Sequence, residues 1–438
     1  MLIIMPLSTQ PYKGARDFYP EDKRLQKYIF GVWRKVVESY GYEEYDAPIL
    51  EPLDIYLAKT GEEIVNEQTY TFEDRGGRKV VIRPEMTPTV SRMVAAKRQE
   101  LAYPLRWYSI PNLWRYERPQ RGRLREHWQL NVDLFGVADL NAEHELIQVT
   151  DAIMQAFGAK RSQYVIKINS RKLVDGYMKG YLGLNDVQAQ TLGKLIDRMH
   201  KMPHAAFVAE ADALFGPSQR KAGLNDHLFD TLAVKDLNEL PEEVYSHSSV
   251  AEIKNLVHQL NESGIKNVIF DFTLMRGFDY YTDIVFEIFD TNPDNNRAMF
   301  GGGRYDGLIG LFGAEPVPTV GFGMGDVTLA NFLETNELVP KLKTETEAYI
   351  VLLGDIYQQA IKTIKSLREM GLNVAVDMTG RKSSAQIKSA VKKGIAYAIF
   401  IGENDLEAEQ FNLKELATGT EEKHSLQRIV SIIKDHRK

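Results

Sequence analysis

No cysteine occurs among the 438 residues of this chain. Disulfides, thiolate zinc sites and cysteine nucleophiles are thereby excluded, and a reducing compartment fits. Long apolar runs are missing too. None approaches a membrane span, and Leu2–Met5 is too short for a signal-peptide core, so a cytoplasmic protein without membrane association is expected. There is no excess of positive charge: the formal net charge is −6, which argues against non-specific adhesion to nucleic acid. An RNA partner would have to use local basic patches.

What is present is ordinary for a globular protein, with 44% hydrophobic and 26% charged residues, and the length predicts roughly two to four domains. Two basic patches stand out. One is Arg115, Arg118, Arg121, Arg123 and Arg125; the other is Arg381, Lys382, Lys388, Lys392 and Lys393. Each is either a solvated face or an RNA contact.

Periodicity predicts a helix over about 22–40, with Leu25, Ile29, Val32, Trp33, Val36 and Val37 on one stripe and Gly41 at its end. An extended segment carrying Pro48 and Pro52 follows, suited to a sheet edge. Thr69–Phe72 and Val80–Ile82 read as a hairpin across Gly76-Gly77, and Thr87-Pro88 as a helix N-cap followed by proline. Strands are expected at 106–116 and 127–136, a helical stretch over about 172–262, and strand character from Val268–Leu274 through Gly323. This is an α+β pattern. After a polar linker at 335–347, strands at Tyr349–Leu353, Asn373–Met378 and Tyr397–Ile401 alternate with helices, predicting a separate, mostly parallel α/β domain over 348–438.

Two constellations carry chemistry. In R-G-F-D-Y-Y at Arg276–Tyr281, an arginine, a carboxylate and two phenols precede an alternating strand. The G-G-G-R-Y-D run at Gly301–Asp306 then allows backbone to approach a ligand closely; an ordinary hairpin with a glycine turn would read the same. Arg115 and Glu117 enter the loop R-P-Q-R-G-R-L-R-E, and Gln129, Asn131 and Asp133 share one face of the strand leaving it. That is either a phosphate grip beside a small polar ligand or a hairpin with surface ion pairs. His200 and His204 flank a helix-breaking Pro203 with no further ligand nearby, so no protein metal site is expected.

The whole set resembles histidyl-tRNA synthetases, a family of class II aminoacyl-tRNA synthetases, over nearly the entire chain. Trp114–Gln129 (W-R-Y-E-R-P-Q-R-G-R-L-R-E-H-W-Q) is similar to the family's motif 2, Tyr42–Pro52 to motif 1, Pro318–Gly325 to the start of motif 3, and Ile82–Thr89 to its amino-acid-binding turn. The resemblance implies a catalytic domain over 1–334 built on an antiparallel sheet, with the helical insertion at about 172–262, and an anticodon-binding domain at 348–438. It implies L-histidine, ATP with Mg²⁺ and tRNA(His) as ligands, and a homodimer through motif 1. By the same resemblance Arg115 and Arg276 are catalytic, and Glu85, Thr87, Gln129, Asp133, Tyr280 and Tyr281 bind histidine. Arg115, Glu117, His127 and Arg276 would bind ATP, and Arg118, Arg121, Arg123, Lys388 and Lys392 would contact tRNA. The alternative is a non-catalytic, synthetase-like regulatory subunit of ATP phosphoribosyltransferase, which lacks the anticodon-binding domain. Three departures from the family pattern are present: Asp133 replaces glutamate, Val327 and Thr328 replace the glutamate-arginine of motif 3, and His127 replaces the aromatic under adenine, with Trp128 beside it.

Overall fold

The computed structural model describes residues 7–57, 68–275, 280–295 and 298–436. Two compact units divide it: Met1–Phe18 with Gln26–Val339, and Tyr19–Leu25 with Pro340–Lys438. The first helix is Pro20–Ser39, with Ile29, Trp33, Val36 and Val37 buried along its stripe. Gly41 follows at φ +81°, a conformation that costs glycine little.

The sheet of the first unit runs, in spatial order, Glu43–Glu44, Leu105–Ser109, Glu126–Phe135, Thr319–Gly325, Ala298–Arg304, Ile284–Asp290, Tyr164–Ser170 and Val268–Phe270. All neighbours are antiparallel except the outermost pair at each edge. A smaller antiparallel sheet orders Leu50–Pro52, Lys79–Ile82 and Tyr70–Glu73, so the proline-bearing strand is an edge and the last two form the expected hairpin.

Several boundaries differ from the sequence reading. The strand expected at 106–116 breaks at Ile110-Pro111: Leu105–Ser109 and Asn112–Trp114 pair with different stretches of Glu126–Phe135. Thr87 is not a cap. It is the first residue of Thr87–Ala96, Met86 takes the cap position, and no side chain bonds there. The strand beginning at Val268 stops at Phe270, because Asp271 turns the chain by accepting from the amide and hydroxyl of Thr273. Between Arg171 and Glu262 the structure is helical among the described residues. Leu192, Ile196, Phe207 and Leu228 are buried in this stretch.

In the second unit the strand order is Val374–Val376, Ala348–Leu352, Tyr397–Ile401, Phe411–Glu415 and Glu421–His424. The first three are parallel, as expected. The last two are antiparallel and, like the helix Leu426–Asp435, were not anticipated. Their alternation is broken by charge: Glu421–His424 is exposed along most of its length.

Candidate active site

The central strands build a floor with few side chains. Gln129, Asn131 and Asp133 share one face of their strand, and their register partners are Gly325, Gly323 and Gly321. Gly323 and Gly321 pair in turn with Gly301 and Gly303. A Cβ on Gly321 would stand 2.2 Å from Asp133 Oδ1, one on Gly323 2.2 Å from Gln129 Nε2, and one on Gly303 2.9 Å from a ring carbon of Tyr281. Side chains from the flanking strands thus lie across bare backbone.

Above this floor is a cleft of about 280 Å³. Glu85, Thr87, Arg115, Glu117, Arg123, His127, Gln129, Tyr280 and Tyr281 all line it, so the structure brings together residues up to 196 positions apart (281 − 85). Arg276, with Gly277–Asp279, lies outside the described residues. The loop at 83–86 is pinned from two sides. Arg83 is buried and donates to the carbonyls of Ala47 (2.6 Å) and Asn112 (3.2 Å), while the Tyr56 hydroxyl donates to the Glu85 carbonyl at 3.2 Å. Glu85 is buried and accepts from the Tyr280 hydroxyl at 3.1 Å; Arg115 donates through Nε to the Pro84 carbonyl at 2.9 Å. Carboxylate and guanidinium are therefore held at fixed positions before any ligand arrives.

Asp133 sits at the inner end, behind the cleft lining. Tyr305, which does line the cleft, donates its hydroxyl to Asp133 Oδ1 at 2.5 Å. Burial pushes the Asp133 carboxyl up to about 7, against the opposing pull of Tyr305 and Tyr45. His127 is pushed the other way, down to about 3, first by burial and then by the Arg115 and Arg16 charges, so its ring is neutral.

The arginine-rich loop divides. Arg125 is buried, its guanidinium 3.9 Å from the Tyr116 ring centre and bonded to the Tyr12 hydroxyl at 2.9 Å, which makes it a structural residue. Arg121 reaches Thr335 Oγ1 at 3.2 Å, and Arg123 pairs with Glu117 at 3.5 Å. Arg118 is exposed. Arg304 of the G-G-G-R-Y-D run points to the opposite face of the sheet and forms a buried two-point pair with Glu143 at 2.6 and 2.7 Å.

Where the family has its motif 3 arginine, Thr328 bonds the Met299 carbonyl, and its methyl would lie 3.7 Å from a Cβ on Gly122. One position earlier than Val327, Asp326 accepts from the Trp128 amide at 2.9 Å and from Arg16 at 2.7 Å. Sequence reasoning missed Tyr305, Glu287 and Arg16. Tyr305 follows the strand Ala298–Arg304 in the G-G-G-R-Y-D run, and Glu287 lies in the strand Ile284–Asp290 after R-G-F-D-Y-Y; nothing in the sequence marks Arg16.

An antiparallel sheet with a bare glycine floor, faced by an arginine just past the strand Asn112–Trp114, a loop carboxylate and a strand carboxamide, matches the catalytic module of a class II aminoacyl-tRNA synthetase. The family model described as histidyl-tRNA synthetase matches residues 14–327, and that described as anticodon binding domain matches 347–436. A histidine–tRNA ligase of Leptospira biflexa is 44% identical over 98% of both chains, and one of Thermoplasma volcanium 37% identical over 94% of this chain and 95% of its own. The crystal structure of histidyl-tRNA synthetase from Nostoc sp. superposes with a TM-score of 0.80 at 23% identity, covering 98% of this chain and 100% of that one. This chain belongs to the histidyl-tRNA synthetase family.

Proposed function

We infer that the chain is a histidine–tRNA ligase. A histidine carboxylate oxygen attacks the α-phosphorus of ATP, forming histidyl-adenylate as the bond to pyrophosphate breaks. A terminal ribose hydroxyl of tRNA(His) then attacks the histidyl carbonyl and releases AMP. The observation that carries this reading is the single cleft in which Glu85, Thr87 and Gln129 stand beside Arg115 on the glycine floor. Acceptors around the α-ammonium and a cation at the α-phosphate place nucleophile and electrophile together, so catalysis is mainly positioning and electrostatics. Arg276 is proposed as the second cation at that phosphorus. His127 and Glu117 would flank adenine.

Among the described residues no three His, Cys, Asp or Glu side chains gather as a metal site. Mg²⁺ arriving with ATP needs only phosphate oxygens, waters and one or two carboxylates. Glu287 and Glu117 line the cleft and fit that need, and the ion would neutralise triphosphate charge.

Motif 1 is the proposed dimer contact. Ile49, Leu50 and Phe72 lie on or beside the small sheet and are 45%, 45% and 47% exposed, more apolar surface than a solvated edge needs. Light scattering should give a dimer that Ile49→Glu with Phe72→Glu dissociates; an unchanged mass would exclude this surface. Among the described residues no helix is long and apolar enough to cross a membrane. A cytoplasmic site is proposed, checked by fractionation.

The regulatory-subunit alternative is not favoured, since the anticodon-binding match extends over 347–436. Histidine-dependent ATP–pyrophosphate exchange and histidylation of tRNA(His) by the purified chain test the reading directly. Exchange with another amino acid, or none at all, would overturn it.

A further inference from the structure

We propose that Arg123 is the cation that lies over the purine of ATP, delivered there by a loop turn seated on the helix Asp326–Thr335. The proposal deepens the histidine-activating reading above and rests on it.

Opposite His127, the nucleotide end of the cleft has no flat or charged group of its own. Gly325 pairs with Gln129, so His127, two residues before Gln129, and Thr328, three beyond Gly325, stand at the same end. His127 offers a neutral ring. Thr328 is short, and its hydroxyl donates to the Met299 carbonyl at 2.7 Å. A purine on His127 is therefore covered on one side only, unless another element comes over it. Among the described residues, the cations lining the cleft are Arg115 and Arg123. Arg115 donates to the Pro84 carbonyl and belongs to the α-phosphate in the reading above. Arg16 is engaged by Asp326 behind the wall. Arg123 is left.

The loop that carries Arg123 fits the helix beneath it. Gln120 and Arg123 exchange both backbone hydrogen bonds at 2.9 Å, with Gly122 at φ +78° in the turn between them. Thr328, Asn331 and Thr335 follow at i, i+3 and i+7, so they share one face of their helix. The turn lies along that face. A Cβ on Gly122 would stand 3.7 Å from both the Thr328 methyl and the Asn331 amide nitrogen, and Arg121 reaches the Thr335 hydroxyl at 3.2 Å. An arginine at 328, as the family has it, would need the space that the turn takes. Glycine in the loop and a small side chain on the helix are two halves of one fit, and the residue after Gly122 is brought to the cleft.

There Arg123 Nη1 lies 3.5 Å from Glu117 Oε2. The Glu117 side chain is 12% exposed and that of Arg123 53%, so the guanidinium is steered from beneath while half of its surface is open to a ligand. A planar guanidinium stacks on an aromatic face in a way that an ammonium does not. Arg123 is thereby assigned to the nucleotide and not to tRNA.

The test is histidine-dependent ATP–pyrophosphate exchange, with AMP as a competitive inhibitor. Arg123→Ala should raise the KM for ATP about tenfold, weaken AMP inhibition by a similar factor and leave the KM for histidine within about twofold. AMP carries the purine without the outer phosphates. A loss for ATP with unchanged AMP inhibition would place Arg123 at the pyrophosphate end and overturn the proposal. Arg123→Lys should recover less than half of the loss; full recovery would mean that charge suffices without stacking, and would overturn it as well. Thr328→Arg should unseat the turn and raise the ATP KM by itself, yet combined with Arg123→Ala it should be no worse than Arg123→Ala alone. Multiplied effects would separate the helix face from Arg123 and count against the proposal. An unchanged ATP KM in Arg123→Ala, with a raised tRNA KM in its place, would return Arg123 to the RNA. If wild type shows no histidine-dependent exchange, the functional reading fails instead.

Discussion

At the scale of single residues, two buried carboxylates make opposite contributions to stability. Burial raises Asp133 to about 7, whereas Asp377 is pulled below the ordinary carboxylate range. Burial alone would raise Asp377 as well. It is outweighed by bonds from the Thr379 hydroxyl and amide, Arg381 and the Tyr349 hydroxyl. A raised carboxyl binds a proton in the folded chain that the unfolded chain releases. Its penalty therefore begins near the unfolded value of about 4 and is complete near 7, so stability falls as pH rises through that window. Asp377 behaves conversely: its stabilisation is full above the unfolded value and is lost as pH falls through its lower folded value. Asp133→Asn should consequently gain melting temperature relative to wild type as pH rises from about 4 to about 7. Parallel melting curves for the two proteins across that range would show that Asp133 is not held in a proton-binding environment.

Among elements, the most informative is the clasp between the N-terminal segment, the strand Glu126–Phe135 and the helix Asp326–Thr335. Asp326 is buried at the first position of that helix, joining the Trp128 amide to Arg16. Arg16 also stacks over Phe18 at 4.8 Å, and Phe18 meets Trp128 edge-on at 5.3 Å. The wall that would face adenine is thus braced from behind, and the Arg16 and Arg115 charges help keep His127 neutral. Removing Arg16 should loosen that wall and leave Asp326 buried with backbone amides as its partners and no counter-charge, a cost of about 1–3 kcal/mol. Arg16→Met should raise the ATP KM about five- to tenfold, on the scale of about 1–1.4 kcal/mol, with little change for histidine. Arg16→Lys should recover part of the loss. A histidine KM that moved as far as that for ATP would mean general disruption instead.

For the whole molecule, the division of labour is between the cleft and the C-terminal unit. Truncation is a poor test of it, because Tyr19–Leu25 groups with the C-terminal residues and Arg24 approaches Glu345 at 3.5 Å. Charge reversal is cleaner. Lys388 and Lys392 are exposed one turn apart on the helix Ser383–Lys392, and neighbouring Arg381 is held by Thr379 and Asp377. Lys388→Glu with Lys392→Glu should leave pyrophosphate exchange unchanged, raise the tRNA KM several-fold and flatten its salt dependence. An unaltered tRNA KM would remove this helix from the RNA contact.

Local patterns in the sequence determined much about this protein. The apolar stripe of the first helix, the hairpin across Gly76-Gly77 and the first three strands of the C-terminal sheet were legible because each depends on periodicity and turn chemistry within a few residues. So was the alternation that places Gln129, Asn131 and Asp133 on one face. Tertiary structure alone decided what those faces meet. That Gly321 and Gly325 lie opposite Asp133 and Gln129 is a matter of register between strands nearly 200 residues apart (321 − 133 = 188). The same holds for Arg125, which read as part of a basic patch but is buried under Tyr12 and Tyr116, and for Arg304, turned from the cleft toward Glu143. Arg16 is the extreme case, because its role exists only through Asp326, 310 positions away. Side-chain type and local period are written along the chain, whereas burial, charge partners and the depth of Asp133 behind Tyr305 arise only when distant strands pair.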